Sequence, residues 1–178
     1  MIELRGDRVI LRGFRPDEVD VALDRMQSVP ASDLDAQERR ERRERIERSG
    51  ERVDWEIMLA IEGDGRLVGD VQARCPRFAL PRGVWELGIE LWEAADRGRG
   101  LGRETVELLS SYLFEGEEAH RVQATTDVEN TAMRGVLERL GFGFEGVLRG
   151  FMPDAGGPRD YAMYGLTRAA WERDGPRT

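Results

Sequence analysis

Between Arg97 and Arg103 the chain reads Arg-Gly-Arg-Gly-Leu-Gly-Arg, and an apolar pattern at helical spacing follows at Thr105, Val106, Leu108, Leu109, Tyr112 and Leu113. Glycines let a loop turn its N–H groups outward, and the first-turn amides of a helix lack partners within the helix. Together with the helix dipole, such amides favour an anion, typically a phosphate or pyrophosphate. Arg97, Arg99 and Arg103 would add charge-assisted contacts to the same loop. Two common nucleotide motifs do not fit. The P-loop requires a lysine, and all 27 basic residues of this chain are arginine. The dinucleotide spacing G-x-G-x-x-G is not met, because Gly98, Gly100 and Gly102 are evenly spaced and the strand before them is not the first of the chain. The loop therefore points to a phosphate-bearing ligand that is neither ATP-like nor dinucleotide-like.

The elements that must position this loop follow from periodicity. Val9–Phe14 reads as a strand, and a helix follows Pro16, with Val19, Leu23 and Met26 on one stripe, stopping near Pro30. Ser32–Ser49 reads as a charged helix, capped by Ser32 or Asp33 and ended by Gly50. Its pairs Glu38–Arg42, Glu41–Arg45 and Glu44–Arg48 have the favourable i,i+4 orientation. Six arginines against four glutamates from Glu38 to Arg48 leave a local +2, which fits a solvated helix better than a surface for an anionic partner. Strands follow over Asp54–Ile61, Arg66–Arg74 and Gly83–Trp92, the first two joined by the turn Glu62-Gly63-Asp64-Gly65. Beyond the glycine loop and its helix come a strand at Arg121–Thr126, a helix at Asn130–Leu140 ended by Gly141, and strands at Phe142–Phe151 and Asp160–Leu166. Strand, two helices, three strands, helix, strand, helix and two strands make one mixed α/β sheet domain over residues 1–178.

Composition narrows the classes further. The 178 residues, 20.2 kDa, suit one domain that needs no metal or disulfide staple. A net charge of −8 argues against general affinity for nucleic acid or an anionic membrane. A single cysteine, Cys75, excludes an internal disulfide, and a single histidine, His120, excludes a histidine-rich metal site, so no metal is expected. No apolar run approaches the length of a membrane span, and the first residues lack a leader pattern; a cytoplasmic protein is the expectation.

Arg97-x-x-Gly100-x-Gly102 also resembles the acyl-CoA pyrophosphate signature of the GCN5-related N-acetyltransferase (GNAT) superfamily. Glu86–Leu91 just upstream, Asn130 downstream and Leu140-Gly141-Phe142 after it strengthen the resemblance, as does the element order. Asp160–Thr167 is similar to the last strand of the RimJ/RimL-like ribosomal-protein alanine N-acetyltransferases. The resemblance implies an α/β GNAT fold: a mostly antiparallel mixed sheet of about seven strands, splayed between the fourth and fifth, with about four flanking helices. It implies acetyl-CoA as acyl donor and a primary amine acceptor, either a protein N-terminus or a small molecule, reacting by direct attack in a ternary complex. A homodimer is common among similar proteins.

Carried onto this chain, the resemblance places the CoA pyrophosphate on the main-chain N–H groups of Arg97, Gly98, Arg99, Gly100, Leu101 and Gly102. Glu90-Leu91-Trp92 would hydrogen-bond the pantetheine arm, one amide polarising the thioester carbonyl, and Asn130 would reach the arm or an ordered water. The base that takes the ammonium proton would be Glu86, with Glu90 the runner-up on the same strand face. Relatives place a tyrosine or a serine acid where this chain has Leu137 and Met133, and Tyr164 or Tyr161 could substitute. His120 reads as a surface residue, Cys75 has no assigned role, and Trp55, Trp85 and Trp171 read as core or interface anchors. Trp92 fits either the pantetheine arm or the core. Two alternatives remain: an acyl-CoA-binding module without catalysis, and a transferase of the same fold that uses aminoacyl-tRNA, against which the net charge counts.

Overall fold

The computed structural model describes residues 1–26, 34–76, 78–154 and 156–174. Its strands are β1 (Leu4–Arg5), β2 (Val9–Arg12), β3 (Arg52–Val53), β4 (Glu56–Gly63), β5 (Arg66–Arg74), β6 (Val84–Leu91), β7 (Arg121–Asp127), β8 (Gly143–Met152) and β9 (Arg159–Thr167). The helices are α1 (Val19–Arg25), α2 (Ala36–Glu47), α3 (Leu101–Gly116), α4 (Thr131–Arg139) and α5 (Arg168–Asp174). The strands form one sheet in the order β1-β2-β4-β5-β6-β7-β9-β8, with β3 paired to β4. The β6–β7 pair is parallel and the others are antiparallel. The expected mixed sheet is present. The strands beyond seven are β1 and β3, two residues each and too short to show periodicity, and α5 was not anticipated. Among the described residues no helix is long and apolar enough to cross a membrane.

Strand alternation divides the core in two. On one face Trp85 and Leu87 of β6 pack with Leu101, Val106, Leu109 and Leu113 of α3. On the other face Trp92, just past β6, joins Phe14, Leu23, Ile46 and Met58 beneath α1 and α2. Trp85 and Trp171 behave as anchors, the latter stacked on Phe114 at 5.1 Å. Trp55 departs from that expectation: it is exposed and meets Phe78 edge-on.

The charged helix α2 starts later than its composition indicates. Asp35 is the N-cap and accepts from Gln37 N and Glu38 N at 2.7 and 2.9 Å, while Glu38 returns to Asp35 N at 2.9 Å. This is a reciprocal capping box; Ser32 and Asp33 lie outside the described residues. Among the described residues the i,i+4 ion pair within α2 is Arg43–Glu47 at 3.9 Å rather than the three expected ones, because its arginines reach acids on other elements. Arg39 meets Asp24 and Arg43 meets Asp20 of α1, and Arg45 is bidentate to Glu56 of β4. With Ile46 as its buried apolar residue, α2 docks through ion pairs because it has little apolar surface to bury.

One glycine is dictated by the sheet itself. Gly69 of β5 lies opposite Leu91 of β6, and a Cβ there would stand 2.0 Å from the Glu90 carbonyl oxygen. That carbonyl is directed at β5, and a backbone oxygen in a central strand cannot swing away. Gly69→Ala is expected to cost on the order of 2 kcal/mol through this overpacking, read as a lower midpoint in urea unfolding; an unchanged midpoint would show that the strands can part without cost.

Candidate active site

The parallel pairing of β6 with β7 covers only Val84–Leu87 against Arg121–Ala124. Past that point β6 stays bonded to β5 as far as Leu91, and β7 stays bonded to β9 as far as Asp127. The two half-sheets therefore separate, and each leaves one edge open. Trp92 N donates to Val68 O at 3.1 Å and the Glu90 carbonyl faces β5. Alternation along the strand then turns the Ile89 and Leu91 backbone groups toward the gap. The gap is a cleft of about 700 Å³ lined by Leu87–Leu91, the glycine loop, the start of α3, Ala124–Thr126 and one side of α4. Its size is that of a ligand pocket.

The glycine loop closes one end of the cleft. Gly98 and Gly100 have φ of 72° and 88°, a region that residues with a Cβ rarely adopt. Gly100 is the N-cap of α3, and no side chain caps that helix. Glu104 N bonds back to Gly100 O at 3.1 Å, so the open amides are those of the preceding turn. Leu101 pins the helix start, being 1% exposed and within van der Waals reach of Gly63.

Behind the loop, ion pairs hold it in place. Asp64 accepts from Arg8 at 2.8 Å and from Arg99 at 2.7 Å, and the fully buried Asp96 is bound by Arg66 and Arg99. Arg8 Nη1 also donates to Arg99 O at 2.7 Å. Glu104 Oε1 accepts from Arg8 N and Val9 N at 3.0 and 3.2 Å, which fastens the first turns of α3 to β2. Arg97 reaches the other way and donates to Leu91 O at 3.3 Å, joining the loop to the open edge of β6; its main-chain N–H, expected to serve the pyrophosphate, is taken by Ala94 O at 3.1 Å because it closes the preceding 3-10 turn.

Of the residues singled out from the sequence, Glu90, Leu91, Arg97, Gly98, Gly100, Gly102 and Asn130 come together as cleft lining. Asn130 is the N-cap of α4; its Oδ1 accepts from Met133 N at 3.1 Å, leaving Nδ2 as the donor it can offer. Other residues are placed elsewhere, with clear causes. The Arg99 side chain belongs to the ion pairs behind the loop, and the Leu101 side chain is core, so either can contribute only main chain. Trp92 is directed away from the cleft: it stacks on Phe14, its Nε1 donates to Asp70 at 3.0 Å, and its backbone N–H is taken by Val68. Tyr164 is fully buried on the α4 side, where its hydroxyl donates to Glu138 at 2.8 Å and accepts from Arg134 at 3.2 Å. Glu86 lies where β6 and β7 still pair; Gln123 donates to it at 3.2 Å and Arg74 stands 3.8 Å away. His120 is exposed at the head of β7, outside the lining.

Thr125 and Thr126 line the cleft from β7, the strand whose splaying from the fourth expected strand the resemblance implied; Val136 and Arg139 of α4 were not singled out, and no spacing rule connects them to a glycine loop before α3. Met133 and Leu137 line it too, so the positions at which relatives place hydroxyls are apolar cleft wall here.

Asp70 was missed as well. It is buried on β5 opposite Glu90 and accepts from Trp92 Nε1 and from Gln72 Nε2, the latter at 3.3 Å. Burial pushes its carboxyl up to about 6; the nearby Glu90 charge adds to the rise, while the two donors and Arg42 oppose it. The raised folded value means that the protonated form favours folding. This contribution is complete below the unfolded carboxyl value and is lost as pH rises through about 6. Relative to Asp70→Asn, the wild type should therefore lose up to about 3 kcal/mol of unfolding free energy between roughly pH 4 and 7. Urea titrations at fixed salt check this, and parallel curves would contradict it.

The family model described as the acetyltransferase (GNAT) domain matches residues 8–143. A probable N-acetyltransferase of Bacillus subtilis (strain 168), YjcK, is 31% identical over 115 residues, which are 63% of this chain and 61% of that protein. Thus the match spans less than two thirds of that relative's length. Mycobacterium smegmatis RimJ in complex with a CoA disulfide superposes with a TM-score of 0.71 at 21% identity, covering 94% of this chain and 87% of that one. RimL in complex with coenzyme A superposes with a TM-score of 0.74 at 17% identity, covering 96% of this chain and 100% of that one. Since the family model takes in the divergent strands, the glycine loop and α4 alike, the chain belongs to the GNAT acetyltransferase family.

Proposed function

We propose that this protein transfers an acetyl group from acetyl-CoA to a primary amine by direct attack while both substrates are bound. The observation that carries the reading is the meeting, in one cleft, of the open β6 edge with the uncapped glycine turn at the start of α3. The main-chain amides from Gly98 to Gly102 suit a diphosphate, with Arg97 and Arg103 adding charge. Ile89 and Leu91 offer backbone donors and acceptors along which the pantetheine arm can run as a further strand, and Asn130 Nδ2 faces the same task from α4. The thioester supplies an activated acyl carbon and a thiolate leaving group.

Glu90 is the proposed proton acceptor, because it lines the cleft whereas Glu86 sits below it, engaged by Gln123 and Arg74. One ammonium proton passes to Glu90 and later to solvent. The neutral amine attacks the acyl carbon, so that the C–N bond forms and the C–S bond breaks with its electron pair on sulfur. The second proton of the attacking nitrogen ends on that sulfur. An unpaired β6 amide is placed to donate to the carbonyl oxygen as charge develops on it. The acceptor is a protein N-terminus or a small amine; RimL, a ribosomal L7/L12 alpha-N-protein acetyltransferase that shares the fold, is associated with the first.

A second reading, an acyl-CoA-binding module without catalysis, has one observation in its favour: Met133 and Leu137 make the cleft wall apolar, and Tyr164 is turned away. Calorimetry with acetyl-CoA, followed by thiol release over a panel of amines and peptides, separates the two. Tight binding without thiol release favours the second reading, and no binding at high micromolar coenzyme rejects both.

Two substitutions test the parts. Gly100→Ala must hold a Cβ at φ 88°, and acetyl-CoA affinity should fall about tenfold as the turn relaxes, while thermal unfolding stays cooperative. Equal affinity would remove the turn from the binding site. Glu90→Gln should lower kcat/KM by about a hundredfold with coenzyme affinity intact; a larger loss in Glu86→Gln than in Glu90→Gln would assign the proton transfer to Glu86.

A further inference from the structure

We propose that Asp70 is a positioning residue for the acceptor: acting through Glu90, directly opposite it on the next strand, it sets how firmly the cleft holds the acceptor's ammonium group before proton transfer. The inference rests on the acyl-transfer reading above.

The rungs between β5 and β6 show what is unusual. Arg74 stands opposite Glu86, an oppositely charged pair at 3.8 Å. Gln72 stands opposite Gly88, and Asp70 stands opposite Glu90. Thus one rung carries compensating charges, and another, four residues along each strand, carries two carboxyl groups on the same sheet face. Side chains in such cross-strand pairs have Cβ atoms about 5 Å apart, and like charges there oppose folding. The packing nevertheless holds Asp70 in place. It is 4% exposed, and the hydrogen bonds to its two oxygens come from neutral donors, the Trp92 indole and the Gln72 amide. Those donors orient the carboxylate without cancelling its charge.

The charged groups facing Asp70 are Glu90 from β6 and Arg42 from α2, and its β4 neighbour in the ladder, Ala60, is apolar. Arg42 is itself partly buried and donates to Met26 O at 3.4 Å. Glu90 faces the cleft and Asp70 does not. Asp70 therefore contributes field rather than contact. Each time it ionises, the Glu90 rung gains a second negative charge in a partly desolvated place, where a cation gains most from it. The midpoint of about 6 places this change within the physiological range. A cationic amine is held by the doubly charged rung and released more readily when Asp70 is protonated.

The test uses the intact protein, acetyl-CoA and an alkylamine whose ammonium ionises above about pH 9, so that it stays cationic throughout. In the wild type, acceptor KM should fall about tenfold as pH rises through the Asp70 midpoint, with kcat changing less. In Asp70→Asn the KM should be high and independent of pH over the same range. Carbon-detected NMR of the free protein gives a readout without turnover: the Asp70 midpoint should fall in Glu90→Gln, where the facing charge is gone. This variant also serves if Asp70→Asn fails to fold. An unmoved Asp70 midpoint in Glu90→Gln, or a KM profile shared by the wild type and Asp70→Asn, overturns the inference. If acetyl-CoA affinity is intact when that happens, the acyl-transfer reading stands and this inference alone falls; if the coenzyme does not bind, both fall.

Discussion

Beyond Leu87 the backbone of β6 has a partner on one side only, and much else in the molecule follows from that release. A strand in the middle of a sheet that stops pairing exposes N–H and C=O groups that must find partners in solvent or in a ligand. Here the exposed run ends within reach of the uncapped turn of α3, so two sets of unsatisfied backbone groups border one cleft. The arrangement is a candidate site made largely of main chain. It depends on register and twist more than on side-chain identity, which is how relatives at 17–22% identity can share the fold.

Holding such a gap open requires rigidity behind it. The two half-sheets are tied by long ladders, β4–β5–β6 on one side and β7–β9–β8 on the other. The loop at the end of the gap is fixed by Arg8, Asp64, Asp96, Arg66 and Arg99, and α3 is tied to β2 through Glu104. Most of these ion pairs are partly exposed, and individually such pairs contribute little to stability. Their role is geometric: they hold Arg99, Asp64 and Asp96 behind the loop, while Arg97 and Arg103 remain on the cleft side. Asp96, fully buried, is the exception, since removing its partners would leave a charge without solvent.

The two faces of β6 divide the labour. Ile89 and Leu91 lie on the α3 face, packed against the core there, and a Cβ added at Gly102 would meet both in ordinary contact. Glu86, Gly88 and Glu90 lie on the face shared with Asp70 and Gln72, where an acceptor would arrive. Trp92 ends that row by turning into the α1 layer, and its indole links the hydrophobic packing of that layer to the buried Asp70. A change in the packing of α1 can therefore reach Asp70 through one hydrogen bond.

The sequence alone determined the element order, the glycine turn before α3, the family resemblance, and the cleft positions of Arg97, Gly98, Gly100, Gly102, Leu91, Glu90 and Asn130. The element order and the glycine turn are written in local spacing, as glycine at positions of positive φ and alternation along a strand, whereas the cleft positions were carried over residue by residue from the family resemblance. Only the tertiary structure decided that Trp92 and Tyr164 face away, that Arg99 is held by Asp64 and Asp96, and that Asp70 stands opposite Glu90. Those outcomes depend on which residues far apart in the chain become neighbours across strands. Period-two alternation says that a side chain lies on one of two faces, and only the packed layers decide which face meets a ligand and which meets the core.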